Sequence, residues 1–128
     1  MFCNQCEQTA NGKGCTRVGV CGKDAQTAGL QDLLVHAATG VSMVAHRARQ
    51  LGAKDREIDV FILEALFATV TNVDFDPHRL QMMLGKAARM RDRARTIYED
   101  ACRKAGRTPE TLTGPAAWQP AADLAGLQ

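Results

Sequence analysis

From about Thr27 to Gly106, apolar side chains recur at steps of three and four residues. That spacing places them on single faces of helices and fixes the architecture more firmly than any other feature of the chain. The first run carries Leu30, Leu33, Leu34, Ala37, Ala38, Val41, Val44, Ala45, Ala48 and Leu51. Thr27 is its expected N-cap and Gly52 its expected stop. The second runs from about Ile58 to Val70, with Ile58, Phe61, Ile62, Ala65, Leu66 and Thr69 inward. Asn72 to Phe75 should form a turn. Asp76-Pro77 then reads as an N-cap followed by proline in the first helical position. The third run carries Leu80, Met83, Leu84, Ala87, Ala94, Ile97, Tyr98, Ala101 and Ala105, and stops at Gly106. Its other face is basic, with Lys86, Arg89, Arg91, Arg93 and Arg95 expected to be solvated or, alternatively, to dock an acidic electron donor or a neighbouring domain. Three amphipathic helices with short connections predict an all-α fold, an antiparallel three-helix bundle.

The segments on either side do not share this pattern. Residues 1–26 lack apolar periodicity and hold Cys3, Cys6, Cys15 and Cys21, spaced C-x2-C-x8-C-x5-C, with Gly12, Gly14, Gly19 and Gly22 among them. Such a loop cannot bury a core of its own, so something other than hydrophobic burial must order it. The tail from Thr108 onward is broken by Pro109, Pro115 and Pro120 and carries the lone Trp118. It reads as a connector, its tryptophan packing it onto the bundle. The expected division is therefore 1–26 cysteine loop, 27–106 bundle and 107–128 connector.

Bulk properties narrow the function. At 128 residues the chain fits one domain, and a net charge of +2 argues for neither nucleic acid nor an anionic membrane as partner. No apolar run approaches the roughly 20 residues that span a bilayer, and the start lacks the pattern of a secretory signal. The expected location is the cytoplasm, where thiols stay reduced or bind metal.

Three chemistries compete for the four thiols. Incidental thiols or disulfides explain such clustering poorly without a secretory context. Zinc wants four tetrahedral thiolates, usually from two C-x2–4-C knuckles, and only Cys3 and Cys6 have that spacing. An iron–sulfur cubane takes one thiolate per iron from a backbone wrapping a bulky core, and the long excursion to Cys15 with the flanking glycines suits it. In that reading the glycines let the backbone approach and aim N–H groups at the sulfurs. The chemistry favours iron–sulfur. Cys102 reads as a core thiol, and His36, His46, His78 and Glu64 fall on predicted helices without metal-ligand spacing.

The strings "MFCNQCEQTANGKGCTRVGVCGK", "AGLQDLL", "FILEALFATVTNVDFD" and "AAWQPAADL" together resemble the N-terminal part of hybrid-cluster proteins, also called prismane proteins or hydroxylamine reductases. The resemblance runs over essentially the whole chain. It implies that Cys3, Cys6, Cys15 and Cys21 ligate a [4Fe–4S] cluster, the spacing resembling that subgroup rather than the [2Fe–2S] one. It also implies an electron-transfer role in reducing hydroxylamine or nitric oxide. The expected partners are downstream domains of the same enzyme, which carry a hybrid Fe–S–O cluster, and a reduced electron carrier or NADH-linked reductase. No ligand set for that hybrid cluster is visible in residues 22–128, so the 128-residue chain alone is expected not to catalyse the reduction. The alternative is a non-enzymatic helical module, stapled by zinc or a cluster, for assembly or redox sensing.

Overall fold

The computed structural model describes residues 1–70, 74–123 and 125–127. Its architecture is helical: α1 Ala25–Gln50, α2 Arg56–Val70 and α3 Pro77–Lys104, with short 3-10 turns at Ala10–Gly12, Gly114–Ala116 and Ala125–Leu127. Among the described residues there is no strand, only an isolated antiparallel bridge between Cys3 and Cys15. The predicted all-α three-helix architecture is the one found. α1 packs most extensively on α3, then on α2, while α2 and α3 meet least.

Local chemistry sets each helix end. α1 begins at Ala25 rather than at Thr27, because Asp24 is the cap: its Oδ1 accepts the Thr27 N–H at 2.7 Å. Thr27 instead lies inside the first turn and is buried. α2 likewise starts two residues before the expected Ile58, since Asp55 Oδ1 accepts the Ile58 N–H at 3.1 Å. Asp76 caps α3 as expected, accepting from the His78 N–H at 2.9 Å ahead of Pro77. α1 and α3 both close with a left-handed glycine, Gly52 at φ 84° and Gly106 at φ 65°. In each the next residue's N–H returns to a carbonyl five back, Ala53 to Ala48 at 3.0 Å and Arg107 to Cys102 at 2.9 Å. Of the expected Asn72–Phe75 turn, residues 72 and 73 lie outside the described residues.

The core forms where the stripes meet. Leu30, Leu34, Val41 and Val44 of α1 pack with Phe61 of α2 and with Leu80, Leu84 and Ala94 of α3. Cys102 is buried in this core, the position expected of a structural thiol. The stripes shift in places: Ala105 is exposed, Met90 is buried, and on α2 Ala68 turns inward while Leu66 turns out. α2 is apolar around most of its circumference, so periodicity did not select one face. Val60, Leu63 and Phe67 remain exposed, as does Met82 of α3.

The basic stripe of α3 is solvent-facing at Arg89 and Arg93, as expected, but not at Arg91 and Arg95. Arg91 is buried at 3% exposure and donates to the Trp118 carbonyl. Arg95 donates to the Ala116 carbonyl at 3.0 Å. Arg93 pairs with Asp55 at 2.7 Å and Glu57 at 2.8 Å, and Lys86 pairs with Glu64 at 3.1 Å. Arg91 and Arg95 hold the tail as a strap over the bundle. The strap seats Ala116 fully buried, with Pro115 and Ala116 against Gly40, and Trp118 meets the His36 ring edge-on at 5.8 Å. The packing role expected of Trp118 is the one it has. No helix of the described residues is long and apolar enough to cross a membrane.

Candidate metal centre

The loop of residues 1–24 sits ahead of the first turn of α1 and is held by backbone contacts. The Cys3 N–H donates to the Cys15 carbonyl at 3.0 Å and the Cys15 N–H returns to Cys3 at 2.8 Å. This bridge closes the Cys6–Gly14 excursion at its base. Inside the excursion the Thr9 N–H donates to the Cys6 carbonyl at 3.2 Å, and the Thr9 hydroxyl donates to the Cys3 carbonyl at 3.0 Å. A second, tighter turn runs from Gly19 to Lys23, with Gly19 N–H on the Lys23 carbonyl at 2.7 Å and Gly22 N–H on Gly19 at 2.8 Å. Gly22 adopts φ 90°, a conformation that other residues rarely take. Gly19 is required for close approach: a Cβ there would lie 3.0 Å from Cys21 Sγ and 3.1 Å from Lys23 Cβ.

The four thiols sit in different surroundings. None forms a disulfide; Cys15 is buried, Cys3 and Cys6 are half-buried and Cys21 is exposed. Backbone pairing brings Cys3 and Cys15 together, while Cys21 is carried on the Gly19–Lys23 turn. Among the described residues, no group of three or more His, Cys, Asp or Glu side chains is gathered at metal-holding separation. The chain therefore sets the backbone path of the four thiols without converging their sulfurs.

Electrostatics around the sulfurs favour negative charge. The Ala10 N–H donates to Cys15 Sγ at 3.4 Å, and the Thr9 hydroxyl lies 3.8 Å from the same sulfur. Hydrogen bonding from the Val20 N–H, then from Ala10, holds the Cys15 thiol below its ordinary range, against the opposing effect of burial. The Lys23 ammonium donates to Cys3 Sγ at 3.6 Å and to Gln5 Oε1 at 3.3 Å. The expectation that glycine N–H groups would face the sulfurs is not met. Those of Gly12, Gly14, Gly19 and Gly22 go to backbone carbonyls. The donors are Ala10, Val20 and Lys23; none of these three stands out in the sequence, since any residue supplies an N–H and a lone lysine reads as surface.

By donor chemistry the loop fits an iron–sulfur group. It offers four unoxidised thiols, N–H groups on a sulfur, and a buried cation beside another. Cys102 lies apart in the core and His36 against Trp118, so neither belongs to this loop.

Known proteins are similar to this sequence. Over 127 residues it is 58% identical to a protein named hydroxylamine reductase from Rhodospirillum rubrum, covering 99% of this chain and 23% of that one. The protein of the same name from Geobacter sulfurreducens is 50% identical over 129 residues, 99% of this chain and 24% of its own. The chain thus spans about a quarter of the length of the curated relatives it matches. The sequence pattern of the Prismane/CO dehydrogenase family matches residues 1–117. With that match covering most of its length, the chain belongs to the Prismane/CO dehydrogenase family.

Proposed function

We propose that this chain is an electron-transfer portion of a hydroxylamine reductase, with Cys3, Cys6, Cys15 and Cys21 as the ligands of a [4Fe–4S] cluster. The observation that carries the proposal is the sulfur environment: Cys15 receives backbone N–H donors and Cys3 faces a buried ammonium, as anionic sulfur requires. When bound, a cubane with four thiolate ligands supplies one-electron transfer and no open site. The chain's own residues then have separate tasks. The Cys3–Cys15 bridge fixes the two ends of the long excursion. Thr9, Ala10 and Val20 place hydrogen-bond donors at Cys15, and Gly19 leaves room for Cys21 Sγ and the Lys23 side chain.

In this reading residues 1–26 form the redox loop, 27–106 its helical platform and 107–128 a connector toward further domains of the same enzyme. The exposed Val60, Leu63 and Met82 support a docking face for such domains. Beside them, between α2 and α3, a hollow of about 710 Å³ is lined by Ala68, Met82 and Met83 and rimmed by Lys86 and Arg89. A reduced carrier or NADH-linked reductase would supply electrons.

The test is anaerobic loading with iron and sulfide. Wild type should turn brown, hold iron and sulfide in equal amounts, and take up about one electron per chain from dithionite. Serine at Cys3, Cys6, Cys15 or Cys21 should each impair loading, whereas Cys102→Ser should leave it intact. The loaded chain should show no hydroxylamine turnover with reduced viologen. A colourless, zinc-binding protein, or loading that depends on Cys102 alone, would overturn the assignment.

A further inference from the structure

Lys23 is 1% exposed and stands among the largest fully buried side chains of the molecule. Lysine is almost never found fully buried unless paired, because removing an ammonium from water is costly. Among the described residues no carboxylate pairs with this one; its donors go to Cys3 Sγ at 3.6 Å and Gln5 Oε1 at 3.3 Å. An amide oxygen brings no charge. Its other partner is the Cys3 sulfur, a ligand atom in the four-cysteine reading.

The backbone of Lys23 is tied on both sides. Lys23 directly precedes Asp24, the cap of α1, so its backbone is tied to the bundle through the 2.7 Å Asp24–Thr27 bond. Its carbonyl accepts the Gly19 N–H at 2.7 Å, so the turn carrying Cys21 is tied to it as well. Lys23 thus stands where α1, the Cys21 turn and Cys3 meet.

We infer that Lys23 is a positioning residue for the sulfur site, its buried ammonium balancing the charge of the thiolate-ligated group and setting its reduction potential. The inference rests on the four-cysteine reading above and assigns a role to a residue outside the ligand set. A fixed positive charge beside a ligand sulfur stabilises the more negative, reduced state. Its removal makes the added electron less favourable.

The experiment compares wild type, Lys23→Met and Lys23→Arg, each the whole 128-residue chain loaded anaerobically with iron and sulfide. Iron is counted, helicity is checked by circular dichroism, and a dye-equilibrated dithionite titration reads the one-electron potential. Lys23→Met should shift the reduction equilibrium at least tenfold toward the oxidised form, a fall of about 59 mV or more for one electron. Lys23→Arg keeps the charge and should stay within threefold of wild type. If Lys23→Met loses iron while Lys23→Arg keeps it at the wild-type potential, the charge role also stands. Equal potentials in wild type and Lys23→Met overturn it, as do equal losses or shifts in both variants, which would mean that side-chain shape matters and charge does not. A wild-type chain that takes no iron refutes the four-cysteine reading and this inference together, an outcome distinct from a loaded wild type with an unmoved variant.

Discussion

Gly40 lies mid-way along α1, where glycine normally costs about 1 kcal/mol relative to alanine. Replacing it with alanine should nevertheless destabilise the protein. A Cβ at Gly40 would run into the Pro115 carbonyl oxygen and lie 2.7 Å from the Pro115 carbonyl carbon and 3.2 Å from the Ala116 nitrogen. These are backbone atoms with no rotamer to yield, so the strap must lift. Lifting breaks the Arg95–Ala116 bond and the Arg91–Trp118 bond. Hydrogen bonds to charged groups contribute about 1.5–3 kcal/mol each, so even the low end, about 3 kcal/mol for two, exceeds the helical gain. The net loss should be about 2 kcal/mol or more. At a urea m-value of about 1–2 kcal/mol/M, the midpoint should fall by about 1 M or more. Unfolding is followed by helical circular dichroism and by the fluorescence of Trp118, the only tryptophan, which should also become more solvent-exposed before unfolding. Gly85→Ala is the control. It is also helical, but its nearest neighbour is the flexible end of Arg89 at 3.8 Å, so it should gain up to about 1 kcal/mol. A Gly40→Ala protein as stable as wild type or more so would refute the view that the tail is seated through this glycine.

Asp55 caps α2 and receives Arg93, and burial, which alone would raise its carboxyl, is outweighed by the Arg93 hydrogen bond and the Ile58 N–H, leaving it below the ordinary carboxylate value. A carboxyl depressed in the folded state adds stability above its unfolded value and loses it as pH falls through the folded one. Asp55→Asn should therefore flatten the acid side of the stability–pH curve, and Asp55→Ala should further cost about 1 kcal/mol of capping; an unchanged acid limb in Asp55→Asn would contradict this. Cys102→Ser buries a hydroxyl in an apolar site and should lower the melting temperature at a cost of about 1–3 kcal/mol, and a melting temperature equal to wild type would place the thiol outside the core. In metal-free protein, amide exchange should be fast across residues 1–23 and slow in α1 and α3, because only Cys15, Gly19 and Lys23 of that loop are buried; loading should slow the loop selectively. Equal protection of loop and bundle without iron would count against this.

The helices were legible because burial imposes a period. Leu30, Leu34, Val41, Leu80 and Leu84 follow it and form the core. The period was least informative on α2, where Val60, Leu63, Leu66 and Phe67 carry apolar side chains around the exposed side, so Leu66 and Ala68 exchanged places between expectation and structure. Helix starts slipped by two residues for one reason. Asp24 and Asp55 precede the apolar stripe and act through a single hydrogen bond, which a pattern of hydrophobic positions does not register. Arg91 was misplaced because a guanidinium reads as surface; the Trp118 carbonyl that accepts its N–H lies 27 residues away and only the fold brings it near. The thiols themselves were legible from spacing. Their electrostatic surroundings were not, since Ala10 and Val20 act through backbone N–H groups that carry no sequence signature.

Two adjacent residues, Lys23 and Asp24, connect the loop to the bundle, and their opposite charges face opposite ways. Asp24 turns toward the helix and accepts the Thr27 N–H; Lys23 turns toward the loop and donates to Cys3. Each satisfies a group that would otherwise lack a partner, one at the open end of α1 and one at a half-buried sulfur. The helix thereby anchors the backbone that carries Lys23, whose ammonium donates to Cys3. Cys21 is exposed on the turn between Gly19 and Lys23, which the Gly19 N–H closes on the Lys23 carbonyl. Of the four thiols that would hold such a group, Cys3 and Cys15 are joined by backbone pairing and Cys21 faces solvent.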